Sequence, residues 1–258
     1  MLKCRVIPIL TFNGIGLVKT KQFANPRMVG NAIQAAKVYN SRNVDELVFL
    51  DIYASDNNRK MNLAMAKQII NECFMPVALG GGIRTIEDIH NLLSIGADKV
   101  ILKRKIIEEP EFIKEASSIF GNQCITIAID AFKDEEGKYY LYNRLNRTIP
   151  LFGFLEHIKN YPFGEIILNS INNDGMMNGF DTELIQQVEK IINVPIVAVG
   201  GAGEPKHVFE LFSKTHIEAV GAASIFHFTQ YTPRDLKMAI ESAGKPVRIV
   251  EKNYIPEH

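Results

Sequence analysis

The chain is short of cysteine, of net charge and of long apolar runs, and each shortage excludes a class of protein. Of 258 residues only three are cysteine: Cys4, Cys73 and Cys124. No two stand at metal-ligand spacing, and an odd count without a staple pattern suits a reducing cytosol rather than a disulfide scaffold. Twenty-nine Lys and Arg balance 29 Asp and Glu, so the formal net charge is zero. That balance speaks against a general nucleic-acid binder and against a protein held to anionic membranes. The apolar run behind Lys3 and Arg5 stops at Leu10, too short for a signal-peptide core. Nowhere do about 20 apolar residues follow one another. The expectation is a cytoplasmic protein with no metal, no cofactor, no membrane and no nucleic-acid partner.

What is present is an ordinary globular mix, 47% hydrophobic and 22% charged. Short runs rich in Val and Ile occupy 5–10, 46–51, 76–79, 99–102, 124–130, 165–169, 195–199 and 219–222. Their near-continuous hydrophobicity suits parallel strands covered on both faces. Amphipathic stretches fall between them, at 29–41, 63–72, 85–94, 109–119, 151–160, 182–192, 205–213 and 233–241. The third is well punctuated, with Thr85 as N-cap, Asp88 three residues on and Gly96 past the end. Eightfold alternation predicts an α/β fold, a (β/α)8 TIM barrel, although a doubly wound open sheet also alternates. An internal repeat decides. VALGG (77–81) recurs 120 residues later as VAVGG (197–201), and Cys4, Ile7 and Ile9 meet Cys124, Ile127 and Ile129 at the same offset. Ile89, Leu92 and Val100 pair likewise with Phe209, Phe212 and Val220. The expectation is a single barrel over 1–258, made of two similar four-unit halves at about 1–122 and 123–258. At about 132–148 the pattern breaks; Glu136-Gly137 ahead of Lys138–Tyr142 predicts a hairpin insertion.

In such a barrel the chemistry sits where strands end. Thr11 follows the first run, Asp51 closes the second, Asp130 the fifth, and Asn169-Ser170 the sixth. A carboxylate there can act as general acid or base if partial burial raises its pKa; the alternative is a capping or loop-ordering role. Gly80-Gly81-Gly82 and Gly200-Gly201-Ala202-Gly203 follow the third and seventh runs, and Gly221-Ala222-Ala223-Ser224 belongs to the eighth. Glycines let backbone N–H groups approach a phosphate, and their duplication predicts a two-phosphate site; tight turns are the alternative. After the fourth run stand Lys103-Arg104-Lys105, an anion contact or a solvated face. At the opposite end Arg5, Glu46, Lys99 and Glu165 open four strands. Pointing inward they form a ring of two positive and two negative charges, a polar gate; pointing outward they are ordinary solvated strand starts.

Together these motifs resemble the cyclase-subunit family of imidazole glycerol phosphate synthase over essentially the whole chain. The resemblance rests on DELVFLDI (45–52), GGGI (80–83), GADKV (96–100), AID (128–130), GEIIL (164–168), Asp174-Gly175, GGAG (200–203) and AASIFHF (222–228). It implies a glutaminase-like subunit on the N-terminal barrel face that feeds ammonia past a gate matching Arg5, Glu46, Lys99 and Glu165. The second catalytic aspartate of the family matches Asp130, while the first falls on Thr11, which cannot exchange a proton near neutral pH. Lys19, Asp51 and Asp174 are retained. The small polar phosphate-binding pair falls on Lys103 and Arg104, an expected aspartate on Asn172, and an expected serine on Val199. The implied catalytic set is Asp130, Thr11, Lys19 and Asp51. The implied binding set for a phosphorylated small molecule is Gly81, Gly82, Lys103, Arg104, Asn169, Asp174, Gly175, Gly201, Gly203, Ala223 and Ser224.

The stretches 5–23 and ECFMP (72–76) look closer to a sister group, the cyclase-like proteins associated with glycosyl amidation. This predicts ammonia supply to a separate ATP-using sugar amidotransferase that converts an N-acetyl to an acetamidino group on a nucleotide-activated sugar of bacterial surface glycans. The alternatives are the lyase-type cyclase of histidine biosynthesis and a non-catalytic phosphate-binding scaffold.

Overall fold

A computed structural model describes residues 3–143 and 149–248. The strands among these, in chain order, are β1 (Arg5–Phe12), β2 (Leu17–Lys21), β3 (Ala24–Gly30), β4 (Leu47–Asp51), β5 (Val77–Gly80), β6 (Lys99–Leu102), β7 (Ile125–Lys133), β8 (Tyr139–Leu141), β9 (Ile149–Pro150), β10 (Glu165–Ser170), β11 (Ile196–Val199) and β12 (Ala219–Ala222). Eight of them pair in parallel, in the order β10-β11-β12-β1-β4-β5-β6-β7. The β10–β7 pairing, from Glu165 opposite Thr126 to Ser170 opposite Ala131, closes the ring. With helices between the strands this is a (β/α)8 TIM barrel, and the open sheet is excluded.

Alternation along the parallel strands sorts their side chains into two cores. Ile7, Ile9, Val48, Ala78, Ile101, Ala128, Ile167, Val197 and Ala219 pack inside the barrel. Their neighbours in sequence, such as Val6, Leu47, Leu79, Ile127 and Leu168, join the larger core beneath the helices. Gly80 and Gly221 belong to the interior. A Cβ at Gly80 would lie 2.7 Å from Leu50, and one at Gly221 would lie 2.7 Å from both Ile9 and Val199. Larger residues there would overfill the axis.

Several expected boundaries move. The first helix begins at Ala32 rather than 29, because the Asn31 side chain caps Ile33 and Gln34. The residues ahead of it form an unforeseen antiparallel hairpin of β2 with β3. Position 124 lies in a 3-10 turn, Asn122–Cys124, so β7 starts one residue later. The helix predicted from 109 begins at Phe112, and an unforeseen one-turn helix, Arg104–Glu108, precedes it, with Pro110 keeping the two apart. A short helix, Ser224–Phe228, follows β12. The predicted capping box at Thr85 and Asp88 forms in both directions. In the insertion Tyr139–Leu141 pairs with Ala131–Lys133, and Gly137 takes the left-handed conformation at the turn (φ +83°). Positions 144–148 of the predicted insertion lie outside the described residues.

Candidate active site

The floor of the barrel carries a closed circuit of charge. Arg5 donates to Glu46 at 2.7 Å and to Glu165; Lys99 donates to Glu46 at 2.8 Å and to Glu165 at 3.1 Å. These residues come from β1, β6, β10 and the entry to β4, several of which are not neighbours in the sheet, so the bonds cross the interior. The side chains of Glu46 and Glu165 are 4% and 6% exposed, those of Arg5 and Lys99 25% and 19%. The solvated arrangement left open by the sequence does not occur.

At the other end the strand termini surround a cavity of about 210 Å³ lined by Thr11, Lys19, Asp51, Lys103, Arg104, Asp130, Asn169, Asp174 and Ser224. Asp130 accepts from Lys103 on one carboxylate oxygen and from Asn169 Nδ2 at 3.0 Å on the other. Lys19 and Asp174, 155 residues apart, form a buried ion pair at 2.8 Å. Burial is the main influence on the Asp174 carboxyl and raises its pKa above the ordinary value, against the pull of Lys19; the charge of Asp130 adds to the rise. His227, in the short helix after β12, feels the same lysine: burial first, then the Lys19 charge, lowers its pKa.

The remaining expected residues take other parts. Thr11 donates its hydroxyl to the carbonyl of Val18 and so ties the β2–β3 hairpin to β1. Asp51 is 2% exposed and held by both Nη atoms of Arg59, one at 2.6 Å. This fork orders the loop after β4, which is the loop-ordering alternative raised for that carboxylate. Arg104 reaches the same loop, donating to the Ser55 carbonyl at 2.9 Å and to Asp56. Asn172 exchanges hydrogen bonds with the backbone of Lys133, 2.8 and 2.9 Å, and orders the insertion.

The glycines have packing reasons of their own. A Cβ at Gly81 would lie 2.3 Å from the Asp51 carbonyl oxygen, at Gly175 2.3 Å from that of Thr20, and at Gly201 1.9 Å from that of Gly179. At Gly82 and Gly203 it would meet the carbonyls of Arg59 and Met177 at 2.5 and 2.2 Å. Glycine alone is therefore no sign of a phosphate here. The stronger signal is polar. Ser224 Oγ and Asn169 Oδ1 are buried and have no hydrogen-bond partner among the described residues. Both line the cavity, Ser224 beside Ala223. A buried hydroxyl and amide oxygen facing one cavity call for a polar ligand. Arg59, His227, Phe23 and Tyr142 were not singled out as site residues from sequence, although His227 lies within AASIFHF and Phe23 ends the 5–23 stretch; no spacing or motif marks Arg59 or Tyr142.

Comparison with known proteins settles the family. The profile of the histidine biosynthesis protein family matches residues 5–232. The chain belongs to that family. It is 38% identical over 252 residues to a Streptococcus sanguinis protein named imidazole glycerol phosphate synthase subunit HisF, covering 96% of this chain and all of the relative. Proteins of the same name from Staphylococcus saprophyticus and Bacillus cereus (strain Q1) are 39% and 37% identical over 254 and 252 residues, with the same coverage. The family resemblance drawn from the motifs is thus correct. The sugar-amidation reading is not: these relatives, matched over their whole length, are named as an imidazole glycerol phosphate synthase subunit, and the matching family is described as one of histidine biosynthesis. The short stretches at 5–23 and 72–76 that suggested a sister group do not outweigh similarity over the whole chain. Among the described residues no helix is long and apolar enough to cross a membrane.

Proposed function

We propose that the chain is the cyclase-type subunit of an imidazole glycerol phosphate synthase, using ammonia to close a ring on a phosphorylated ribonucleotide of histidine biosynthesis. The observation that carries this reading is the placement of two polar ends on one apolar barrel. A ring of paired charges spans the floor, and a cavity with Asp130, Lys19, Asp174 and two polar atoms unpartnered among the described residues opens at the mouth. Ammonia is small and neutral enough to pass an apolar axis that excludes ions. In this reading a glutaminase-like subunit docks on the floor and supplies the ammonia. Ser224, Asn169 and the backbone of Gly201 and Gly203 receive one phosphate; the loop at Gly81 and Gly82, with Lys103 and Arg104, faces the other end of the ligand.

Asp130 is the residue that exchanges protons with the reacting ligand, and Lys19–Asp174 holds a second proton-bearing pair across the mouth. Thr11 supplies a hydrogen bond and no acid or base. Losing one of two acid–base groups costs about 10² to 10⁴ in rate. The purified chain with ammonium salt and the histidine-pathway ribonucleotide is expected to turn over slowly, and Thr11→Asp to accelerate it. No imidazole product from either protein, at enzyme concentrations comparable to substrate, would exclude the proposal.

A further inference from the structure

Lys103 does more than occupy a ligand-facing position. Its ammonium is bonded to Asp130 and lies under two aromatic rings, 5.6 Å from the centre of Phe23 and 5.8 Å from that of Tyr142. The rings meet edge to face at 5.4 Å. Phe23 sits in the turn of the β2–β3 hairpin, and Tyr142 follows β8 in the other hairpin. One lysine therefore joins three pieces of the mouth: the carboxylate ending β7's barrel portion, the turn of the β2–β3 hairpin, and the base of the β7–β8 hairpin, where the Tyr142 amide donates to the Asp130 carbonyl at 2.7 Å. The turn that brings Phe23 there is itself strained, with Gln22, Phe23 and Asn25 all in the left-handed region (φ +50°, +62° and +52°). A bulky residue adopts that conformation only where surrounding contacts hold it. The neighbouring Arg104 is committed to the loop after β4, whereas the Lys103 side chain keeps 38% of its surface exposed at the end of a flexible stem.

We infer that Lys103 is a ligand-operated latch: a phosphate entering the mouth takes the Lys103 ammonium from Asp130, which releases the Phe23–Tyr142 cap and uncovers the Asp130 carboxylate. Charge drives the exchange, since the ammonium leaves a monoanionic carboxylate for a dianion, and Asp130 keeps its hydrogen bond from Asn169 at 3.0 Å. Neutral molecules cannot drive it, so the latch also selects for anionic ligands. This rests on the proposal that the mouth takes a phosphorylated ligand, and its test is separate from turnover.

The sequence contains no tryptophan, so Tyr142→Trp places a single reporter in the cap. Inorganic phosphate, at constant ionic strength set with sodium chloride, is expected to change the reporter's emission saturably, and glycerol to leave it unchanged. In Tyr142→Trp/Lys103→Met the phosphate concentration giving half the change should rise at least tenfold, or the change should vanish. Phe23→Trp repeats the test from the other hairpin if the first reporter disturbs folding. Calorimetry on the unsubstituted protein separates the two ideas. Phosphate binding with an emission change indifferent to Lys103→Met, or with no change in either reporter, overturns the latch alone. No phosphate binding at all overturns the latch and the ligand assignment together.

Discussion

The two ends of this barrel use charge in different ways. On the floor each of four charged groups contacts two others, so no member can change without leaving two partners short. At the mouth charges pair mainly one to one with nearby loops: Arg59 with Asp51, Arg104 with Asp56, Lys19 with Asp174 and Lys103 with Asp130. A closed circuit resists substitution, while separable pairs can be exchanged singly.

The largest effect that tests the contrast is on activity. Asp130→Asn should lower turnover by about 10² to 10⁴, whether ammonia comes from salt or from a glutaminase. Lys99→Ala should spare the reaction with ammonium salt and lower the product formed per glutamine hydrolysed. Equal sensitivity of Lys99→Ala to the two ammonia sources would erase the functional difference between floor and mouth.

Stability gives the next effect. Glu165→Ala leaves Arg5 and Lys99 each without one partner in a partly buried ring, and is expected to cost about 2–3 kcal/mol. The discount from a fully buried pair reflects the remaining exposure of the two cations. Arg104→Ala at the mouth should cost less than about 1 kcal/mol. Urea unfolding of both variants checks the ratio, and similar costs would show that the floor circuit has no special cohesion.

The smallest effect concerns pH. Burial, aided by the Lys19 charge, depresses the folded-state pKa of His227 below its ordinary value of 6.5. The unfolded chain therefore takes up this proton first as pH falls. The contribution to stability is complete above 6.5 and is lost as pH drops through that value toward the folded pKa. Between pH 7.5 and 5 the Tm should fall more for the natural chain than for His227→Gln. Parallel curves would remove His227 from the electrostatics of the mouth.

The barrel was legible because its signals are local. Val- and Ile-rich runs and their alternation with amphipathic stretches are properties of neighbouring residues, and the echo of VALGG 120 residues later is found by matching one such run to another. The Thr85 cap was legible too, and so were Asp130 and the four floor charges, each placed by its position at one end of a strand. The β2–β3 hairpin escaped because β3, ANPRMVG, is largely exposed and carries no alternation of apolar residues. The short helix at Arg104–Glu108 escaped because one turn of helix has too few positions to show a period.

Sequence by itself determined the eight barrel strands, the direction in which their side chains alternate and the type of group at each end. It could not assign partners. Whether Asp51 faces a ligand or Arg59, and whether Lys103 meets solvent or Asp130, depends on which strands become neighbours when the ring closes. Only the closed barrel sets Arg5 across from Glu165, 160 residues away, and Lys19 against Asp174. The strength of a charge pair is set by its separation and by how far burial lowers the surrounding dielectric, and both are properties of the assembled barrel, not of any segment that enters it.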